Sequence, residues 1–281
     1  MNSTLLRRTA ALCLCAATAA CTQGNAEVID ADALPNLVTI SAADFSYQAP
    51  ATIPSGLTTL RLVNGGHEMH HAQLVRLEDG HTVQELVQGM AANPHGPPPP
   101  WVRFVGGPNA AVPGQPAEAT VDLKAGNYAI LCFIPSKDGV AHVAKGMIKP
   151  LTVIDAPSRA VAPQADVEVK LNDYGFEFSR ELSAGRHTLK VQNDVAQPHE
   201  LILVRLAPGK TVADMTAWMM SEQGPPPGMP MGGTTLLSTG DVNYVTLDLA
   251  PGEYALLCMV PDAGDGKPHV MHGMARQITV R

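Results

Sequence analysis

The feature that most constrains this chain is that it carries one pattern twice. Ser55-Gly-Leu-Thr-Thr-Leu-Arg-Leu-Val-Asn64 returns as Ala184-Gly-Arg-His-Thr-Leu-Lys-Val-Gln-Asn193, and Leu74-Val-Arg-Leu77 as Leu203-Val-Arg-Leu206. Ala125-Gly-Asn-Tyr-Ala-Ile-Leu-Cys-Phe-Ile-Pro135 returns as Pro251-Gly-Glu-Tyr-Ala-Leu-Leu-Cys-Met-Val-Pro261, and His142-Val-Ala-Lys-Gly-Met147 as His269-Val-Met-His-Gly-Met274. The offset stays between 126 and 129 residues throughout. A block of that length is one ordinary domain, so the pattern predicts two tandem copies of one fold. The expected organisation is a first domain over 37–154, an Ala- and Pro-rich linker over 155–166, and a second domain over 167–281.

Within a copy, the alternation of Leu60 and Leu62, and of Leu189 and Val191, with polar residues marks half-buried strands. Tyr128 to Ile134 and Tyr254 to Val260 are apolar throughout, as central strands are. Turn residues at Pro54-Ser-Gly56, Ala125-Gly126 and Pro251-Gly252 precede strands. Thr82 with Glu85, and Thr211 with Asp214, read as capping boxes that start one short helix per copy. Leu86 and Met90, then Met215 and Met219, share the buried faces, and Pro-rich stretches at 96–100 and 224–230 stop both helices. About seven strands and one inserted helix per copy predict an all-β chain of two Greek-key β-sandwiches. Only 16 % of the residues are charged and no basic tract occurs, which argues against a nucleic-acid partner.

The first twenty residues read as a signal peptide. Arg7 and Arg8 form its positive end, and the small and apolar run Thr9 to Ala20 is too short for a bilayer span, which needs about 20 residues. Thr18-Ala-Ala-Cys21 resembles a bacterial lipobox. That resemblance implies acylation of Cys21, a tether over 21–36, and a periplasm-facing protein held to the membrane only by its N-terminal lipid. Ordinary cleavage nearby, giving a soluble periplasmic protein, is the alternative. Without the first twenty residues, 17 basic face 26 acidic residues, a net charge of −9.

Cys132 and Cys258 then stand as two isolated thiols in a compartment that favours disulfides. Each sits in a repeated set: His70, Cys132, His142 and Met147 in the first copy, and His199, Cys258, His269 and Met274 in the second. Two imidazoles, a thiolate and a weak axial thioether are the ligands of a type 1 copper site. The soft sulfurs hold Cu(I) and the imidazoles suit Cu(II), so the metal changes oxidation state with little rearrangement.

In these residues, and over nearly the whole chain after residue 36, the sequence resembles the cupredoxins. The His-Val-x-x-Gly-Met endings look like the type 1 loop of copper nitrite reductases. The resemblance implies one or two type 1 copper sites and electron transfer with a redox protein partner. The alternatives are a metal-free adaptor module and a protein that stores or delivers copper. Copper nitrite reductases and multicopper oxidases set a His beside the type 1 Cys. Here the neighbours are Leu131 and Phe133, and Leu257 and Met259, so no enzymatic role is expected.

Other soft or imidazole groups read as structural. His67, Met69 and His71 suit a solvated loop around His70, and Met219 suits a helix core, with Met220, Met229 and Met231 nearby in sequence. His272 is an alternative to His269, which keeps the spacing to Met274 that His142 has to Met147. Trp101 and the Pro-rich stretches are either docking surfaces or struts packed on their own domains.

Overall fold

The computed structural model describes residues 34–281, apart from 94–95 and 222. The signal segment, Cys21 and the tether up to residue 33 lie outside the described residues. The described residues form one compact unit. Among the described residues, no helix is long and apolar enough to cross a membrane.

The first copy runs β1 (Asn36–Ala43), β2 (Ser46–Gln48), β3 (Thr52–Pro54), β4 (Gly56–Asn64), β5 (Gln73–Leu77), α1 (Val83–Ala92), β6 (Val102–Gly106), β7 (Pro116–Leu123), β8 (Gly126–Leu131) and β9 (Ile148–Ile154). The second runs β10 (Val167–Asn172), β11 (Gly175–Phe178), β12 (Gly185–Asn193), β13 (His199–Leu206), α2 (Val212–Ser221), β14 (Gly228–Leu237), β15 (Val242–Leu249), β16 (Gly252–Leu257) and β17 (Ala275–Val280). Nine and eight strands replace the expected seven, because short edge strands such as β2 and β3 carry too few residues to show a period.

Each copy is a sandwich. In the first, Val38, Ile40, Leu60 and Leu62 from one sheet meet Leu74, Tyr128, Ile130 and Leu151 from the other. In the second, Val169, Leu171, Leu189 and Val191 meet Leu201, Leu203, Tyr254 and Leu256. Side chains of this size stabilise by about 1.5–3 kcal/mol each when fully buried. Tyr128 and Tyr254 also donate their hydroxyls to the carbonyls of Lys124 and Ala250, both at 2.8 Å, which pins the corner before each Cys-bearing strand.

The two copies do not stack as separate sandwiches. Their sheets run through: one has the order β11-β10-β12-β15-β7-β4-β1-β2, the other β17-β16-β13-β14-β6-β5-β8-β9-β3. Read from either end, the first order gives the same sequence of equivalent strands. β7 pairs antiparallel with its own counterpart β15, and β6 with its counterpart β14. The join is therefore an internal pseudo-two-fold interface, in which matching edges close each other off.

Both helices cover the outer face of the nine-stranded sheet. Thr82 and Glu85 make both hydrogen bonds of a capping box on α1, and Thr211 with Asp214 makes the same pair on α2. Leu86 sits over Val75, Leu77 and Phe104. Met215 sits over Ile202, Val204 and Leu257, together with Met69 and Ala110 of the first copy. Trp101 stacks on His81, with ring centroids 4.2 Å apart. The second Pro-rich stretch runs straight into β14, with Pro230 paired to Val204.

Candidate metal centres

The central strands β8 and β16 end one residue before Cys132 and Cys258. Each thiol is thus delivered to the rim of its sandwich by a strand buried on both faces. A single loop then returns to it. In the first copy, the N–H of His142 donates to the carbonyl of Ile134 and the N–H of Val143 to that of Cys132. The N–H of Cys132 donates to the carbonyl of Met147. The second copy repeats the pattern with His269 and Val260, Val270 and Cys258, and Cys258 and Met274. A 3-10 turn, His142–Lys145 or His269–His272, ends in each case on a left-handed glycine, Gly146 at φ 102° or Gly273 at φ 101°. A side chain there would be strained, which accounts for the Gly-Met ending.

His70, Cys132 and His142 offer ligand atoms that all lie within 4.8 Å of one another, and so do His199, Cys258 and His269. Cys132 Sγ is 3.4 Å from Nδ1 of His142, and Nδ1 of His70 is 3.0 Å from Nδ1 of His142. Cys258 Sγ is 3.4 Å from Nδ1 of His269 and 3.9 Å from Nδ1 of His199. All six residues are fully buried, as are Met147 and Met274, which follow on the same loops. Both thiols are free.

The far ring nitrogens explain why Nδ1 faces inward. His70 Nε2 bonds Asp44 at 3.1 Å, His142 Nε2 bonds Glu68 at 2.8 Å, and His199 Nε2 bonds Asp173 at 2.9 Å. A carboxylate accepts, so each of these rings carries its proton on Nε2 and leaves the Nδ1 lone pair free. Burial pushes the carboxyls of Asp44 and Glu68 up, but their hydrogen bonds outweigh it. Backbone N–H groups of Glu68 and His67 and two imidazoles hold Asp44 well down, and His142 and Ser136 lower Glu68. In the first copy, two lone pairs then face each other across 3.0 Å with a sulfur beside them. Such an arrangement is repulsive until a cation sits among the three atoms.

Burial lowers the pKa of His70 and His199, only partly offset by their carboxylates. Burial and the neighbouring His199 bring His269 down to about 4. Burial pushes the Cys132 thiol up to about 11 and raises Cys258 as well. His70, His199 and His269 are thus held neutral and ready to ligate, whereas each thiol gives up a proton when a metal binds. Two neutral imidazoles and a thiolate fit copper: nitrogen for Cu(II), sulfur for Cu(I).

Solved structures that align with the chain can now be placed beside this geometry. An auracyanin from the photosynthetic bacterium Roseiflexus castenholzii is 22 % identical over 41 % of this chain and 94 % of its own, with TM-score 0.30. An azurin from the methylotroph Methylomonas sp. strain J is 16 % identical over 43 % of this chain and 98 % of its own, with TM-score 0.29. Its structural neighbours are cupredoxins. A multicopper oxidase aligns over 87 % of this chain and 88 % of its own, at 13 % identity and TM-score 0.25. No family model and no curated protein matches the chain. Likeness at these levels carries no argument about the metal, which rests on the donor geometry. The finer resemblance to the nitrite reductase loop is not carried by these comparisons.

One expectation is corrected. The chain was expected to have no enzymatic role, yet a match that spans both copies is to a multicopper oxidase, an enzyme family. The expectation rested on Leu131, Phe133, Leu257 and Met259 beside the two cysteines. Those residues report only on wiring that starts at the cysteines and not on chemistry elsewhere in a two-copy chain.

The remaining candidates fall into place. His67 is exposed and bonds Asp44. His71 is buried rather than solvated: its Nε2 accepts the N–H of Phe133 at 2.8 Å, and burial lowers its pKa to about 3. The turn through the bridge between His70 and Ala111 draws it inward. Met69, Trp218 and Met219 all pack against the cluster of Ile202, Val204 and Met215, while Met220 and Met229 are exposed. His272 pairs with Asp265 at 3.1 Å, outside the Cys258 group. The carboxylates behind the ligands were missed from sequence. Their signal was the repeat itself, since Asp44-Phe45 and Asp173-Tyr174 keep the offset of 129.

Proposed function

We propose that this protein carries electrons through two copper centres, one in each cupredoxin-like copy, held by His70, Cys132 and His142 and by His199, Cys258 and His269. Met147 and Met274, buried at the ends of the same loops, would supply a weak thioether to each ion. The observation that carries this reading is the convergence of two inward Nδ1 atoms on one thiol, with carboxylates holding the far nitrogens of His70, His142 and His199. A rigid, buried donor set fits an ion that gains and loses one electron without rearrangement. The ligands bind and orient the ion, their burial excludes water, and the thiol proton leaves on loading.

The N-terminal pattern supports a place in the bacterial cell envelope, facing the periplasm, with Cys21 as the acylated anchor and a redox protein as partner. The mass of the mature N-terminus tests the anchor. A spectroelectrochemical titration of the copper-loaded protein tests the function. A reversible one-electron couple at each centre is expected. Tight Cu(I) binding with no Cu(II) chromophore would overturn electron transfer in favour of copper storage or delivery.

A further inference from the structure

A buried polar group lies where the two copies meet. His71, Asn109 and Glu200 are 5 %, 2 % and 4 % exposed. His71 follows His70, and Glu200 follows His199 at the same position of the second copy. Each reaches the peptide group just after its own cysteine. His71 Nε2 accepts the N–H of Phe133 at 2.8 Å, and Glu200 Oε1 accepts the N–H of Met259 at 2.9 Å. Asn109 lies between the two: its Nδ2 donates to Glu200 Oε2 at 3.0 Å, and its side chain lies against His71.

Elementary chemistry fixes the direction of every bond. His71 accepts on Nε2, so the neutral ring carries its proton on Nδ1 and can only donate there. Asn109 spends its amide hydrogens on Glu200 and on the carbonyl of Thr234, which leaves its carbonyl as the group to face His71. Asn109 also sits on the pseudo-two-fold. Its N–H donates to the carbonyl of Gly233 at 3.3 Å, while the N–H of its counterpart Thr235 donates to that of Gly107 at 3.0 Å.

A run therefore leads from Cys132 through Phe133, His71, Asn109, Glu200 and Met259 to Cys258, with three hydrogen bonds and one side-chain contact, His71 to Asn109, among covalent links. Electron tunnelling decays less steeply through covalent and hydrogen bonds than across van der Waals gaps. Resting on the electron-transfer reading above, we propose that the His71–Asn109–Glu200 bridge is the internal path by which the two centres exchange an electron. One electron passes from Cu(I) at one centre, leaving Cu(II), to Cu(II) at the other, leaving Cu(I). No bond is made or broken, the hydrogen-bonded protons stay on their donors, and no further reactant is consumed. Polar glue at the interface could be supplied by any satisfied group. This one instead ends at both cysteines.

The test uses the full, copper-loaded chain. The visible bands of the two centres are first assigned in the Cys132→Ser and Cys258→Ser proteins. A flash-generated one-electron reductant then reduces the unsubstituted protein part-way, and both bands are followed as the electron re-equilibrates at a rate independent of protein concentration. In Asn109→Leu, which keeps the volume and removes the bond to Glu200 and the polar contact with His71, both bands and a single unfolding transition are expected to persist while that rate falls by an order of magnitude. Should the leucine variant not fold, Glu200→Gln serves. Its amide and that of Asn109 cannot both donate across the gap without losing one link, and a several-fold fall is expected. Intact bands with an unchanged rate would overturn the bridge alone. Absent bands in the unsubstituted protein would overturn the electron-transfer reading and this proposal with it.

Discussion

The two centres share their donors and differ in what stands behind them. In the first copy, both outer nitrogens meet carboxylates, Asp44 at 3.1 Å and Glu68 at 2.8 Å. In the second, Asp173 holds His199, but Gln197 occupies the position of Glu68. Gln197 accepts the N–H of Ala263 instead, and His269 Nε2 is left 3.9 Å from Asp262 with no partner. Phe45 and Tyr174 lie edge-on to the second His in equivalent places, but Tyr174 also donates its hydroxyl to Asp262 at 2.6 Å. Beside the first cysteine stands neutral His71. Beside the second stands Glu200, whose carboxyl burial raises to about 7. Duplication kept the ligands and let the surrounding charges diverge. Such charges tune a metal's potential without changing its geometry.

The comparison breaks most completely at the thiols. Cys132→Ser should remove one of two copper equivalents and its visible band, and Cys258→Ser the other, with circular dichroism unchanged. Loss of both bands from either substitution would mean that the sites are not independent. Next come the glycines at the join. A Cβ at Gly107 would lie 2.2 Å from the carbonyl oxygen of Ala72, and one at Gly233 would lie 1.9 Å from that of Leu201, both at φ 131°. Gly107→Ala and Gly233→Ala should each cost about 3 kcal/mol in denaturant unfolding, and nearly equally, because the pseudo-two-fold makes them one position.

Smaller effects sharpen the comparison. Thr82→Ala and Thr211→Ala remove equivalent capping hydroxyls and should each cost about 1 kcal/mol in thermal unfolding. Glu68→Gln gives the first centre the residue natural to the second. Removing a negative charge stabilises Cu(II) less, so the potential of that centre should rise. Because Glu68 is partly exposed, the effect is about 0.5 kcal/mol, or about 20 mV, measured by spectroelectrochemistry.

Much of this was legible in the sequence because it was written twice. The His, Cys and His of each copy recur in the same order at offsets of 126 to 129 residues, and an apolar run before each Cys marks the strand that carries it. What was hidden depends on distant chain segments meeting. Asp44 is 26 residues before His70 and reaches it only because β1 lies beside β4. His71 looked like a loop residue, because a polar neighbour of a ligand gives no sign that the loop turns inward. The shared sheets were also invisible: β7 and β15 show ordinary alternation, and edge pairing is made by backbone groups that every residue possesses.

The most direct measurement is a titration of the full chain with Cu(II), followed by optical absorption and electron paramagnetic resonance. Two equivalents should bind, each adding an intense thiolate-to-copper band and the narrow copper hyperfine splitting of a thiolate-bound site. Copper that washes off with neither signal would contradict the account, because the inward imidazoles and thiols of both copies would then hold no ion.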